Sequence, residues 1–227
     1  MSVFNQESFN QFILENNIVG FFETAIKLKS GRMSTWYANW RNISEDAYLT
    51  DKLTDFILQF IQDNNFSPDC FYGIPEGATK TALITQFKWA KNKNNFSPGS
   101  SMLPMGRGKP KEHGAEKDKF FVGAPAGKVI VIEDVTTTGG SLLSQLETLK
   151  NMGVDILAAL ALFNRMEKRD DGKSVQEKVE EMGIKYLCMS NANEILPLLV
   201  KQNNSAPELV QSLKEYFEKY GLESLNL

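Results

Sequence analysis

Cysteine and histidine are nearly missing from this 227-residue chain, which has two of the first and one of the second. Cys70 and Cys188 stand far apart in the apolar contexts DCFYGI and YLCMS, so they offer neither a metal-ligand spacing nor a redox pair. Both are expected to be buried thiols of a cytosolic protein. An excess of one charge is missing too. With 25 Lys and Arg against 28 Asp and Glu, nothing global attracts nucleic acid or an anionic membrane, and any anion site must be local. No apolar run approaches a membrane span, and the opening MSVFNQESFNQF has neither the basic region nor the apolar core of a signal peptide. The expectation is a protein that stays in the cytoplasm. Repeats and low-complexity tracts are absent. So is any G-x-x-x-x-G-K-[ST] run, which removes the P-loop nucleotidases from consideration.

What is present is an alternation of helical and strand-like segments, the pattern of an α/β domain with a parallel sheet. The length suits one such domain with a single sizeable core, so one domain over 1–227 is expected. Leu53, Phe56, Ile57, Phe60 and Ile61 fall on one face of a helix that Thr50 can cap. CFYGI then reads as a short strand, 78–90 as a helix, and 91–119 as a Lys- and Gly-rich stretch too polar for the core. Residues 129–132 read as a central strand, and 141–152 as a helix that aligns Leu142, Leu146 and Leu149 and stops at Gly153. ILAALALF (156–163) and IKYLCM (184–189) read as further strands. Residues 207–220 form an amphipathic helix led by Leu209, Leu213, Phe217 and Tyr220.

The stretch KVIVIEDVTTTGGSLLSQL (128–146) is the one that points to chemistry. A loop of Thr and Gly between the end of a strand and the start of a helix offers free backbone N–H groups, hydroxyl donors and the positive end of a helix dipole. Those features suit a phosphate. Two acids just before the loop would repel that phosphate unless they serve another part of the ligand, such as sugar hydroxyls or a metal ion held beside it. A phosphorylated ribose has both parts. A strand ending in a solvated acidic turn is the plainer alternative.

VIVIEDVTTTGGS resembles the phosphoribosyl pyrophosphate signature of the type I phosphoribosyltransferases: four apolar residues, two acids, an apolar residue and a Thr/Gly phosphate loop. The resemblance implies a central, mostly parallel sheet flanked by helices. It also implies a small N-terminal hood to which 1–45 contribute and a mobile catalytic loop over 104–119, beside a C-terminal helix over 205–221. Glu133 and Asp134 would hold the ribose hydroxyls, while Thr136, Thr137, Thr138, Gly139, Gly140 and Ser141 would wrap the 5′-phosphate.

Three further stretches are similar to orotate phosphoribosyltransferases in particular. IKLKSGRMSTWYANWRNI (26–43) matches the family's early Leu-Lys-Ser-Gly-Arg segment, which implies that Lys29 reaches the substrate. The family continues with Ser-Pro and paired aromatics before an Asn, where this chain has STWYAN. Taken alone, KSGR between two apolar stretches is a hairpin turn. MGRGKPKEHGAEKDKFFVG (105–123) carries the single histidine, and Arg107, Lys109, Lys111 and His113 alternate in a glycine-flanked loop. That suits a lid closing over a pyrophosphate leaving group. Matching the family's Arg-Lys-x-x-Lys-x-His-Gly makes Lys111 the main catalytic lysine and Arg107 its partner, and His113, as a histidine, is a candidate proton donor. Gly108 stands where a second lysine is common, with Lys109 beside it. A solvated basic run is the alternative. ALFNRMEKRDDG (161–172) puts Arg165 at the carboxyl end of a buried strand, where parallel sheets place ligands. Its planar fork suits the carboxylate of orotate, and the family uses the arginine of Asp-Arg-x-Glu here. Thr137 joins it at the base. An arginine merely capping the strand is the bland reading.

GIPEGATKTA (73–82) follows a strand and is expected to form the pyrophosphate loop, its small residues letting backbone amides approach the ligand. Glu76 and Gly77 stand where the family often carries an aromatic-lysine pair, and Lys80 lies further on. The resemblance implies Mg2+, held mainly by the substrate, with Glu76 or Asp134 as candidate ligands. It implies transfer of phosphoribosyl from phosphoribosyl pyrophosphate to orotate in UMP biosynthesis, by a homodimer whose lid loops reach across the interface, without nucleic acid or membrane. Two alternatives stay open. A phosphoribosyltransferase for another base would keep the acid pair and the Thr loop but have no use for Arg165. A non-catalytic sensor of phosphoribosyl pyrophosphate would need no lid and would carry a DNA-binding module, and no basic helix-turn-helix precedes the sheet.

Overall fold

A computed structural model describes residues 3–28 and 30–227. The chain begins with α1 (Gln6–Glu15), the hairpin strands β1 (Val19–Lys27) and β2 (Met33–Ala38), then α2 (Arg41–Glu45) and α3 (Ala47–Asp63). Next come β3 (Cys70–Gly73), α4 (Thr79–Lys91), and a small excursion of β4 (Met105–Gly106), α5 (Glu116–Phe120) and β5 (Phe121–Val122). The second half alternates β6 (Lys128–Thr136), α6 (Gly140–Asn151), β7 (Asp155–Asn164), α7 (Val175–Glu181) and β8 (Lys185–Cys188), and closes with α8 (Ala192–Gln202) and α9 (Pro207–Tyr220).

Four strands form the central sheet in the order β3-β6-β7-β8, every pair parallel. Parallel strands need both faces covered, and the pleat sorts their side chains accordingly. Ile130, Ile132, Leu160 and Leu162 enter one apolar cluster with residues of α3, α8 and α9, while Val129, Val131, Ala159 and Ala161 enter a second with Leu142, Leu146 and Leu149 of α6. Burial on both faces is why these strands read as unbroken apolar runs in the sequence.

Two local expectations change and one holds. Thr50 is not the cap of α3: the helix starts at Ala47, and the Asp46 side chain accepts from Leu49 N at 2.8 Å. Thr50 lies one turn in, and its hydroxyl donates to Ile43 O at 2.7 Å, so a buried hydroxyl finds its acceptor in the preceding helix, α2. β6 does not stop at Ile132. It runs through both acids to Thr136, because Val135 and Thr136 pair with Phe163 and Asn164, and Arg165 N donates to Thr136 O at 2.9 Å. Ser30, Gly31 and Arg32 do lie in a hairpin turn, between β1 and β2. Gly31 takes φ +85° there and donates its N–H to Leu28 O at 2.9 Å. Among the described residues no helix is long and apolar enough to cross a membrane.

α9 has the range expected from its periodicity, and it packs against β2. Leu213, Tyr216 and Phe217 are buried, and the Phe217 ring stacks on Trp36 with centroids 6.1 Å apart. The helix therefore clamps the N-terminal hairpin to the end of the sheet.

Cys70 is buried and Cys188 half-buried, with the Cys188 thiol donating to Ser190 O at 2.9 Å. Burial pushes the Cys70 thiol up to about 11 and the Cys188 thiol up to about 12. At pH 8 roughly a thousandth or less of either is thiolate, the reactive form. The folded protein should therefore react slowly with a thiol-specific chromophore, and denaturant should release two thiols at once. A fast equivalent in the folded protein would contradict the placement.

Candidate active site

All four central strands point their carboxyl ends to one edge, and there a cavity of about 1180 Å³ opens. Its walls come from five places in the sequence. The end of β6 and the following loop supply Glu133, Asp134, Val135 and residues 137–141. The loop after β3 supplies Pro75, Glu76 and Gly77, with Lys80 behind them. The hairpin and α2 contribute Tyr37 and Arg41, the excursion contributes Gly108, and Arg165 lies at the end of β7.

The phosphate-like corner is built by backbone. Gly139 precedes α6 with φ +68°, and a Cβ there would meet Val175 Cγ1 at 2.7 Å, so both conformation and space require glycine. No side chain caps α6, which leaves its first N–H groups directed at the cavity rim. Thr137, Thr138, Gly139, Gly140 and Ser141 line the cavity together. Thr136 is set apart from them. Its side chain is buried and shares a hydrogen bond of 2.8 Å with the Tyr186 hydroxyl, because the strand's alternation turns it into the core. Behind the loop, Arg169 donates from Nη1 to the Thr138 carbonyl.

Glu133 and Asp134, adjacent along the strand, both reach the cavity. Glu133 is buried, whereas Asp134 is half-buried and accepts from Val135 N at 2.9 Å. Gly77 is the close neighbour of this pair. A Cβ on it would fall 2.2 Å from Asp134 Oδ2, so the backbone of the 75–77 loop rests directly on the carboxylate. Glu76 in turn abuts Gly108, whose Cβ would lie 3.1 Å from Glu76 Oε1.

Arg165 is 3% exposed and thoroughly held. Nε donates to Glu167 Oε1 at 2.7 Å, Nη2 to Ser34 Oγ at 3.1 Å and to the Tyr216 hydroxyl at 3.4 Å, and Nη1 to Trp36 O at 3.5 Å. Its Cζ sits 3.5 Å from the centroid of a Trp36 ring. Glu167 is wholly buried and also binds Arg32 Nη1, through Oε2 at 2.8 Å. Two arginines thus face one carboxylate, and the buried triad carries one positive charge in excess. Asp170, 3.5 Å from Arg32 but fully exposed, is screened by solvent and adds little. Tyr216 stays a neutral hydroxyl, since burial and the Glu167 charge push it up to about 12.

The segment expected to form the lid makes its own hairpin. Gly106 pairs with Phe121 and rests on the Tyr72 hydroxyl, Arg107 N donates to Phe120 O at 2.8 Å, and Lys111 N to Lys119 O at 3.0 Å. Arg107 is half-buried, with Nε on Asp118 O at 3.2 Å, while Lys109, Lys111 and His113 are exposed. Among the described lid residues, Gly108 alone lines the cavity of its own chain. Lys29 lies outside the described residues.

Several contributors were not singled out from sequence. Arg32 belongs to the hairpin turn but serves the triad, Arg169 braces the Thr/Gly loop, and Tyr216 enters from the far end of the chain. The Arg-x-Glu spacing at 165–167 is the one local signal that pointed toward Glu167.

No family model matches this chain. It is 26% identical over 226 residues to an orotate phosphoribosyltransferase of Polynucleobacter asymbioticus, covering 96% of this chain and 97% of the relative. It is 30% identical over 179 residues to an orotate phosphoribosyltransferase of a Bradyrhizobium species, covering 75% of this chain and 88% of the relative. Among solved structures, an orotate phosphoribosyltransferase of Francisella tularensis superposes with a TM-score of 0.68 at 25% identity, covering 94% of this chain and 99% of that one.

The triad makes a stability prediction. Glu167→Ala would leave two buried guanidiniums without their counter-charge, and breaking such a pair from one side costs about 3–5 kcal/mol. Urea unfolding should show a loss of that order. A loss below about 1 kcal/mol would mean that Arg32 and Arg165 do not depend on this carboxylate.

Proposed function

Because the chain belongs to the orotate phosphoribosyltransferase family, we propose that it transfers the phosphoribosyl group of phosphoribosyl pyrophosphate to orotate, giving orotidine 5′-monophosphate and pyrophosphate for pyrimidine nucleotide synthesis. One observation carries the reading: a single cavity gathers an acid pair, an uncapped helix N-terminus behind a Thr/Gly loop, and Arg165, the cavity-lining member of a buried cluster with a positive charge to spare. Those are the partners of a ribose diol, a 5′-phosphate and a carboxylated base. A base without a carboxylate would leave the excess charge of the triad uncompensated, so the cavity favours orotate over uncharged alternatives.

In this reading a ring nitrogen of orotate attacks the anomeric carbon while the bond to pyrophosphate breaks, and no side chain acts as nucleophile. The protein's work is charge placement. Glu133 and Asp134 accept hydrogen bonds from the ribose hydroxyls, and the amides and hydroxyls of 137–141 hold the 5′-phosphate, with Thr136 bracing the loop from the core. Arg165 offers its Nη1 edge to the orotate carboxylate, with Thr137 and Lys29 completing the base site. Lys111, Arg107 and Lys109 of the 104–119 lid stabilise the departing pyrophosphate, each good donor being worth on the order of a hundred- to a thousandfold. His113 serves as the proton donor.

Mg2+ fits this donor set. Glu133, Asp134 and Glu76 present hard oxygen ligands to the cavity, yet no group of three or more metal-binding side chains converges among the described residues. An ion bound mainly by substrate phosphates would need only one or two such carboxylates. When bound, the ion supplies charge neutralisation at pyrophosphate.

None of the lid cations is among the residues lining the cavity of their own chain, which motivates a shared-site homodimer. Ile84 and Phe87 of α4 are exposed, as are Met102, Leu103 and Val122 at the base of the lid. Gln86 joins the two groups by donating from Nε2 to Met102 O at 2.7 Å. A second copy seated on this apolar face would bring its lid to the neighbouring cavity.

Orotate-dependent release of pyrophosphate, measured with Mg2+, tests the activity, and Arg165→Ala tests the base site. That variant should lower kcat/KM for orotate about a hundredfold while changing the KM for phosphoribosyl pyrophosphate only a few-fold. Equal losses for both substrates would refute the assignment of Arg165. The shared site is tested by mixing Lys111→Ala and Asp134→Ala proteins after reversible dissociation. Half the assemblies are then mixed dimers, each with one intact site, so activity should recover to about a quarter of wild type. Confirmed chain exchange with no recovery would place the lid in its own chain's site.

A further inference from the structure

We propose that Tyr216 of the C-terminal helix is a positioning residue for orotate, its hydroxyl acting as a wedge that keeps Arg165 from closing into a two-bond pair with Glu167. The inference rests on the reading of Arg165 as the partner of the orotate carboxylate.

Nothing in the covalent geometry prevents a guanidinium and a carboxylate two residues apart from forming two parallel hydrogen bonds, the strongest arrangement open to them. Here only one forms. Arg165 Nε reaches Glu167 Oε1 at 2.7 Å, while Nη2 is directed to Ser34 Oγ and to the Tyr216 hydroxyl instead. That hydroxyl donates to the same Oε1 at 2.9 Å. It therefore stands between Nη2 and the carboxylate, accepting from one and donating to the other. Glu167 Oε2 is taken by Arg32 at 2.8 Å, so the carboxylate is shared among three donors.

The consequence is electrostatic. A fork-to-fork pair would draw the guanidinium toward Glu167 and spend its charge there. With the wedge in place, the positive charge is only partly compensated, and the Nη1 edge keeps a single long contact, 3.5 Å to Trp36 O. Trp36 fixes the plane of the guanidinium, and Phe217, the residue after Tyr216, stacks on Trp36. α9 thus sets both the orientation of the arginine and the charge it has left to offer.

The test uses the full-length protein with Tyr216→Phe, which removes the hydroxyl and keeps the ring. KM and the directly titrated Kd for orotate should each rise about tenfold, as expected for loss of one charged hydrogen bond. The KM for phosphoribosyl pyrophosphate and kcat should stay within about twofold, and the urea midpoint should not fall, because Glu167 gains a second bond from Arg165. In an Arg165→Ala background the same substitution should change orotate kcat/KM less than twofold, since the two residues act as one unit. Should Tyr216→Phe fail to fold, Tyr216→Leu, which also lacks the hydroxyl, must show the same selective loss. The proposal is overturned if orotate affinity is unchanged, if both substrates lose equally, or if the tenfold loss persists without Arg165. If Arg165→Ala itself leaves orotate use intact, the base-site reading falls and the wedge falls with it.

Discussion

The carboxylate of Glu167 is the point on which this structure turns. It is wholly buried, and it ties together the end of β7 through Arg165, the N-terminal hairpin through Arg32 and the C-terminal helix through Tyr216. Three segments that are remote in sequence meet at two oxygen atoms. Such a cluster is weak evidence for net stability, because removing three charges from water offsets most of what their attraction returns. What it fixes is direction. A guanidinium flat on Trp36, bonded along one edge and nearly free along the other, has one orientation left, and that orientation lines the cavity.

The opposite wall achieves placement without charge. Around Gly139 the chain takes a conformation and a closeness to Val175 that only glycine permits, and the helix that follows begins without a side-chain cap. The anion corner is thereby made of backbone amides, whose positions are set by the sheet and helix and cannot swing away. This resolves the apparent conflict of two acids beside a phosphate loop. Glu133 and Asp134 project from the strand itself while the loop follows it, so in the proposed reading acids and loop would meet different parts of a phosphorylated sugar. Gly77, pressed against Asp134 from across the cavity, keeps the acid in place without adding bulk.

How much of this was legible in the sequence depended on the range of the interaction. The parallel sheet could be read from continuous apolar runs such as VIVI and LAALALF, because burial on both faces leaves no polar alternation to interrupt them. α6 and α9 were legible from periodicity and from Gly153 as a stop. Where β6 ends was not, since Val135 and Thr136 are held in the strand by Phe163 and Asn164, contacts that no local pattern encodes. The same pairing explains Thr136. In a loop its hydroxyl would be free for a ligand, but in a strand the alternation sends it to Tyr186. Arg32 shows the limit most plainly. KSGR reads correctly as a hairpin turn, yet its arginine is half of an ion pair with a residue 135 positions away.

That limit has a physical reason, and it bears on the C-terminal helix. Amphipathic spacing states that one face of α9 must be covered, and Leu213 and Phe217 satisfy it. It says nothing about the polar tip of Tyr216, which belongs to the apolar face by its ring and to the charged cluster by its hydroxyl. A residue of this kind can couple packing to electrostatics, since the ring determines where the helix sits and the hydroxyl reports that position to Glu167. If Arg165 receives the base as proposed, the cavity's affinity for an anionic base is then not a property of Arg165 alone. It is set by how firmly a helix at the far end of the chain is docked against β2.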